Sequence, residues 1–133
     1  MERWLHGALT LSLAPLLLVQ GRWVRRRTPL LPEPPGPRAG VIGQGPVLRL
    51  LIVGDSSAAG VGAVHQDEAL SGRLTQALSR DFTVHWTLLA CTGHKLADVR
   101  AAVLGLPTEP FDVVVVAVGV NDATGRTCMA HWL

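Results

Sequence analysis

Val113 to Val118 reads VVVVAV, and this run constrains the fold more than any other feature of the chain. Four successive valines favour extended backbone, because two heavy atoms on each Cβ restrict the side chain. The run does not alternate with polar residues, which predicts a strand covered on both faces, as in a parallel sheet flanked by helices. Val47 to Val53 (VLRLLIV) has the same character, interrupted only by Arg49. Between them, Phe82, Val84, Trp86 and Leu88 alternate with Thr83, His85 and Thr87, predicting a further strand.

Helical periodicity separates these strands. Leu70, Leu74, Ala77 and Leu78 fall on one face of a helix expected from about Gln66, with Asp67 and Glu68 near its start. Gly72 is expected to let that helix pack closely on the sheet. Leu96, Val99, Val103 and Leu104 outline a second helix, stopped by Gly105 and Pro107. The order strand–helix–strand–helix–strand predicts an α/β domain of three parallel strands joined by right-handed crossovers. Only fifteen residues follow Val118. The sheet is therefore expected to be truncated after its third strand, with an exposed apolar edge and an incompletely covered face.

The first 46 residues have a different character. Trp4 to Val19 is an apolar run without formal charge unless His6 is protonated, and Arg22, Arg25, Arg26 and Arg27 follow it. A cleaved signal peptide carries its positive charge before the apolar core, whereas this segment carries it after. The expectation is a membrane anchor or interfacial helix over residues 1–27, bracketed by Trp4 and Trp23, with the domain on the cytoplasmic side. A cleaved signal or a packing helix is the alternative. Residues 28–46 hold six prolines and four glycines, which predicts a linker without regular elements. Residues 47–133 are left to form the domain.

Charge narrows the classes of function. Residues 1–49 carry a net +5 and residues 50–133 a net −3, so the basic balance belongs to the N-terminal segment. No nucleic-acid partner is expected. Cys91 and Cys128 are too few for a disulfide scaffold, and two free thiols are the simpler reading. Neither belongs to a Cys/His cluster at zinc spacing, so no metal and no cofactor is expected.

Ligands of open α/β sheets bind beyond the C-terminal ends of the strands. Three polar, glycine-containing segments fall there: Gly54-Asp55-Ser56 with Gly60 after the first strand, Cys91-Thr92-Gly93-His94 after the second, and Gly119-Val120-Asn121-Asp122 after the third. Neither a dinucleotide GxGxxG nor a phosphate-binding GxxxxGK[ST] occurs. Taken alone, Ser56 is a turn or cap residue as readily as a nucleophile.

Together the three segments resemble the conserved blocks of the SGNH (GDSL-type) hydrolases, a flavodoxin-like family of serine esterases, lipases and acyl hydrolases. The resemblance covers residues 47–125 and is taken as the N-terminal half only of such a domain. Ser57 stands where the family usually has leucine. The resemblance implies a three-layer α/β/α fold, an acyl or acetyl ester substrate, and Ser56 as nucleophile. It further implies an oxyanion hole formed by the N–H groups of Ser56 and Gly93 and the side-chain amide of Asn121. Gly54, Asp55, Gly60, Gly119 and Asp122 would support the loops. The family's downstream Asp-x-x-His, which supplies acid and base, has no counterpart here. His94 lies near the site by topology, and His6, His65, His85 and His131 have no evident relation to Ser56. Without a positioned base a serine hydroxyl is a weak nucleophile.

Two readings follow. One is an ester hydrolase by family, inactive as written because a block is missing. The alternative is a catalytically inactive, membrane-associated fragment or binding protein on the same scaffold. A phosphate- or nucleotide-binding module is disfavoured, since the first loop has no basic residue and the second only Lys95.

Overall fold

A computed structural model describes residues 2–107 and 110–125. The chain forms two compact units, residues 1–31 and residues 32–133.

The first unit is built on α1 (Glu2–Arg27), a helix of 26 residues that runs through Pro15. Its end is closed by Thr28, whose N–H and hydroxyl both donate to the Val24 carbonyl, each at 2.8 Å. Arg27 lies over the Trp23 ring, 4.9 Å from its centroid. Among the described residues no helix is long and apolar enough to cross a membrane. That finding corrects the expected membrane anchor, the membrane as a partner, and the membrane-associated, cytoplasmic-side localisation. The physical reason is length. The uncharged stretch from Trp4 to Gly21 covers about 27 Å as helix, against a hydrocarbon core of about 30 Å. His6, Thr10, Ser12 and Gln20 dilute it further.

The second unit has four strands: β1 (Ala39–Ile42), β2 (Val47–Gly54), β3 (Thr83–Ala90) and β4 (Val113–Ala117). They form one sheet in the order β1-β3-β2-β4. β2 pairs in parallel with β3, from Val47↔Thr83 to Gly54↔Ala90, and with β4, from Leu50↔Val113 to Gly54↔Ala117. β1 pairs antiparallel with β3, from Ala39↔Thr87 to Ile42↔Val84.

The expected flavodoxin-like sheet of three parallel strands, truncated after the third, is thus corrected. The fold is α/β with alternating helices and strands, but its sheet is mixed and four-stranded. The extra strand comes from the segment read as free of regular elements. Its proline density stops short of residues 39–42, where Ala-Gly-Val-Ile can extend along the free edge of β3. Gly40 fits there because a Cβ would come within 3.2 Å of the Trp86 indole nitrogen.

β2 is the centre of the core, with Leu50, Leu51, Ile52 and Val53 all buried. Because side chains alternate along a strand, Leu50 and Ile52 serve one face and Leu51 and Val53 the other. The first face packs with Val84, Trp86, Leu88 and Ala90 of β3 and with Ala58 and Ala59 of α2 (Ser56–Ala59). Leu74 and Leu78 of α3 (Leu70–Leu78) complete it. The second face takes Val99 of α4 (Leu96–Leu104), with Leu89, Leu106, Phe111 and Val118 around it. Helices therefore cover both faces of the central strand. β4 departs from expectation: Val113, Val114 and Val116 are exposed, since β4 lies at the sheet margin. A run of valines encodes a strand without saying how far from the centre it will lie.

Gly72 also acts otherwise than expected. A Cβ there would lie 2.2 Å from the Asp67 Cα, so its bareness lets the 67–69 turn fold back against α3, not α3 against the sheet. α5 (Val120–Thr124) closes the described chain.

Candidate active site

The register brings three loops to one level. Gly54 is paired with Ala90 on one side and Ala117 on the other, so the segments leaving β2, β3 and β4 start side by side at the C-terminal edge. Gly54 is required there. A Cβ would lie 2.1 Å from the Ala117 carbonyl oxygen and 2.7 Å from the Ala58 Cβ.

After Gly54 the chain turns at once into α2. Asp55 is the N-cap: its buried carboxylate accepts the Ser57 N–H at 3.0 Å and the Ser57 hydroxyl at 2.8 Å. The Asp55 N–H donates to the Ala117 carbonyl at 3.0 Å, tying the turn to β4. Ser57, the residue in place of the usual leucine, thus serves the cap. Ser56 is half-buried at the first helical position. Its N–H lies ahead of the intrahelical ladder, and its hydroxyl has no hydrogen-bond partner among the described residues. Gly60 ends α2 with φ +85°, and a Cβ on it would meet the Ala69 Cβ at 2.4 Å.

The loop after β3 turns back on itself through the His94 N–H, which donates to the Cys91 carbonyl at 3.2 Å. Gly93 has φ +87°, a conformation that selects glycine. A Cβ at Gly93 would meet nothing within 4 Å, so open space lies beside it, and its N–H has no acceptor among the described residues.

The third loop is braced against the second. Asn121 donates from Nδ2 to the His94 carbonyl at 2.9 Å. An amide NH2 carries two hydrogens, so one remains for another acceptor. Asp122 is buried, and its Oδ2 accepts the Leu96 N–H at 2.9 Å, capping the first turn of α4. Gly119, with φ +132°, opens α5 and sets both side chains on their way.

A second set of contacts comes from residues 33–38. Glu33 Oε1 accepts the Thr92 N–H at 2.6 Å and the Thr92 hydroxyl at 2.8 Å. Glu33 Oε2 pairs with Arg38 at 2.8 Å, and Arg38 also donates to the Ala90 carbonyl. The Thr92 N–H foremost, then its hydroxyl and the Arg38 guanidinium, lower the Glu33 carboxyl to a pKa of about 2. Sequence reasoning missed Glu33 and Arg38. The available signal was a lone acid and a lone base inside a proline-rich stretch.

Among the described residues the histidines do not gather on Ser56. His65 pairs with Asp67 at 3.0 Å, lining a hollow of about 540 Å³ with Gln66, Arg73 and Trp86, and neither Ser56, Gly93 nor Asn121 borders it. His85 is exposed in the middle of β3. His94 is half-buried, and its Nδ1 has no hydrogen-bond partner among the described residues. The side chain of His6, together with His131 and Cys128, lies outside the described residues, while Cys91 is free and exposed. Among the described residues no cluster of ligating side chains could hold a metal ion.

The family model described as the GDSL-like Lipase/Acylhydrolase family matches residues 52–132. The chain belongs to the GDSL-like family. The match takes in the described residues from Ile52, within β2, through α5, including Ser56, Gly93 and Asn121. It also corrects the reading of the resemblance as an N-terminal half only, since residues 52–132 are the C-terminal two-thirds of this chain. No curated protein matches the chain. As a GDSL-like chain it is classed with the hydrolases of the lipase and acylhydrolase type.

Proposed function

We propose that the domain of residues 47–133 hydrolyses acyl or acetyl esters through Ser56. One observation carries the reading: three chain-distant segments begin level at one sheet edge, and each offers an unengaged group. These are the Ser56 hydroxyl and N–H, the Gly93 N–H, and the second amide hydrogen of Asn121. Ser56 Oγ attacks the acyl carbonyl carbon, and the oxyanion that develops is held by the three donors. Collapse of that intermediate expels the alcohol and leaves an acyl-serine, which water then hydrolyses. Asp55, Gly54, Gly60, Gly119 and Asp122 hold the donors in place. No cofactor or metal is required by this chemistry.

Proton transfer is the weak step. The 133 residues contain no Asp-x-x-His, and among the described residues no histidine is bonded to Ser56. We therefore propose that this chain by itself reacts with activated acylating and phosphonylating reagents but turns over esters slowly.

The test is labelling by a fluorophosphonate, with the modified residue located by mass spectrometry, alongside p-nitrophenyl acetate hydrolysis. Labelling at Ser56, abolished in Ser56→Ala and slowed about 10²–10³-fold in Asn121→Ala, is the expected result, the size of one lost oxyanion donor. Labelling elsewhere, or equal ester turnover in Ser56→Ala, would overturn the reading.

A further inference from the structure

We infer that residues 33–38 are a strap that positions the oxyanion loop, with Glu33 as the positioning residue and Arg38 as its support. The inference rests on the assignment of Gly93 as an oxyanion donor and extends it to a part of the chain with no role in that assignment.

The strap touches two of the three segments that the reaction needs. At one end, Pro34 is buried and its Cγ lies 3.3 Å from where a Cβ on Gly60 would be, beside the end of α2. The Pro35 carbonyl accepts the Gln66 N–H at 2.9 Å, and the Arg38 carbonyl accepts the Leu88 N–H at 2.7 Å. These contacts fix the strap against the 60–69 segment and against β3. Glu33, one residue before Pro34, reaches the turn after β3 and takes both donors of Thr92, the residue just before Gly93.

The direction of the Gly93 N–H depends on the peptide plane between Thr92 and Gly93. That plane is free to rotate on an exposed turn unless something holds Thr92. Glycine at 93 makes the turn possible and also makes it loose. One carboxylate oxygen gripping the N–H and the hydroxyl of the same residue fixes the Cys91–Thr92 peptide plane and the Thr92 side chain, which leaves only Thr92 ψ to turn the plane that carries the Gly93 N–H. On the C-terminal side, the His94 carbonyl is held by Asn121. Gly93 is thereby clamped between two fixed neighbours. Arg38 completes the device, since it binds Glu33 and the last residue of β3 with the same guanidinium. Bonds to a charged carboxylate are about twice as strong as those between neutral groups, which suits an exposed loop.

The experiment uses the full chain and two variants, Glu33→Gln and Glu33→Ala. Fluorophosphonate labelling of Ser56 is resolved into the affinity constant KI and the maximal rate kinact. Amide chemical shifts of Thr92 and Gly93 are followed by NMR over the same samples. A positioning role predicts that Glu33→Ala lowers kinact about tenfold with KI nearly unchanged, less than the hundredfold of a full 1 Å misplacement. Glu33→Gln, which keeps the shape and one neutral acceptor, falls between. The Thr92 amide proton moves upfield in both, and the Gly93 amide moves with it. A role in folding alone would lower the melting temperature and leave kinact of the folded protein unchanged. Unchanged kinact in Glu33→Ala, or unmoved Thr92 and Gly93 amides, overturns the inference while the hydrolase reading stands. Failure of the unsubstituted chain to label at Ser56 overturns the hydrolase reading, and the positioning role with it, even where the Thr92 amide shifts. Glu33→Gln serves as the deciding variant if Glu33→Ala does not fold.

Discussion

Glu33 lies fifty-nine residues from the threonine it holds, and its chemistry makes that contact sensitive to acid. Its carboxyl is lowered from 4.5 to about 2, first by the Thr92 N–H, then by the Thr92 hydroxyl and Arg38. A depressed carboxyl contributes stability that is fully present above the unfolded value and is lost as pH falls through the folded one. The window is therefore pH 4.5 down to 2. Glu33→Gln is expected to melt at a lower temperature than the unsubstituted chain at pH 7, with the gap closing as pH falls toward 2. Thermal unfolding followed by circular dichroism at several pH values checks this. A constant gap across the window would show that the charge on Glu33 adds nothing. Asn121 and Asp122, though adjacent, divide their work: one holds the His94 carbonyl, the other caps α4 at Leu96. The sequence presented these residues as one motif. Only their different partners separate an amide with a hydrogen to spare from a carboxylate that ties down the start of α4.

At the scale of elements, β2, α2 and β4 meet at a junction with no room for a side chain. Gly54 must pass between the Ala117 carbonyl and the Ala58 methyl, where no side-chain carbon fits. Gly54→Ala is expected to destabilise the domain by about 1–3 kcal/mol or more, because it pushes β4 away from β2 and tilts α2. Chemical denaturation measures the cost, and Ser56 labelling should fall in the same variant. An unchanged midpoint would mean that the junction relaxes freely. The central elements were legible from pattern alone. β2 reads as doubly buried and is so from Leu50 to Gly54, and β3 alternates in sequence and in burial. β1 was not legible, because four small and aliphatic residues among prolines carry no period. They become a strand only because β3 offers an unpaired edge. β4 was legible as a strand but not as a marginal one.

For the whole molecule, the boundary near Leu31 has consequences. A chain beginning at Pro32 keeps the strap, β1 and both core clusters, whereas one beginning at Val47 loses β1, Glu33 and Arg38. The first is expected to unfold cooperatively. The second should melt at a lower temperature, with the Trp86 side of β3 laid open, and should label more slowly at Ser56. Equal melting temperatures would show that residues 32–46 add nothing to the fold. The sequence by itself determined the α/β class, the central strands, the helices between them and the three polar segments that meet at one edge. Each of these follows from local periodicity, or from glycine and aspartate at sharp turns, and local rules act within a few residues. Tertiary structure alone decided that the sheet is mixed, that the valine run is marginal and that a proline-rich segment braces the loop of Gly93. Those outcomes depend on which edges and carbonyls were left unpaired once the local elements had packed, and pairing across fifty or more residues leaves no period in the chain.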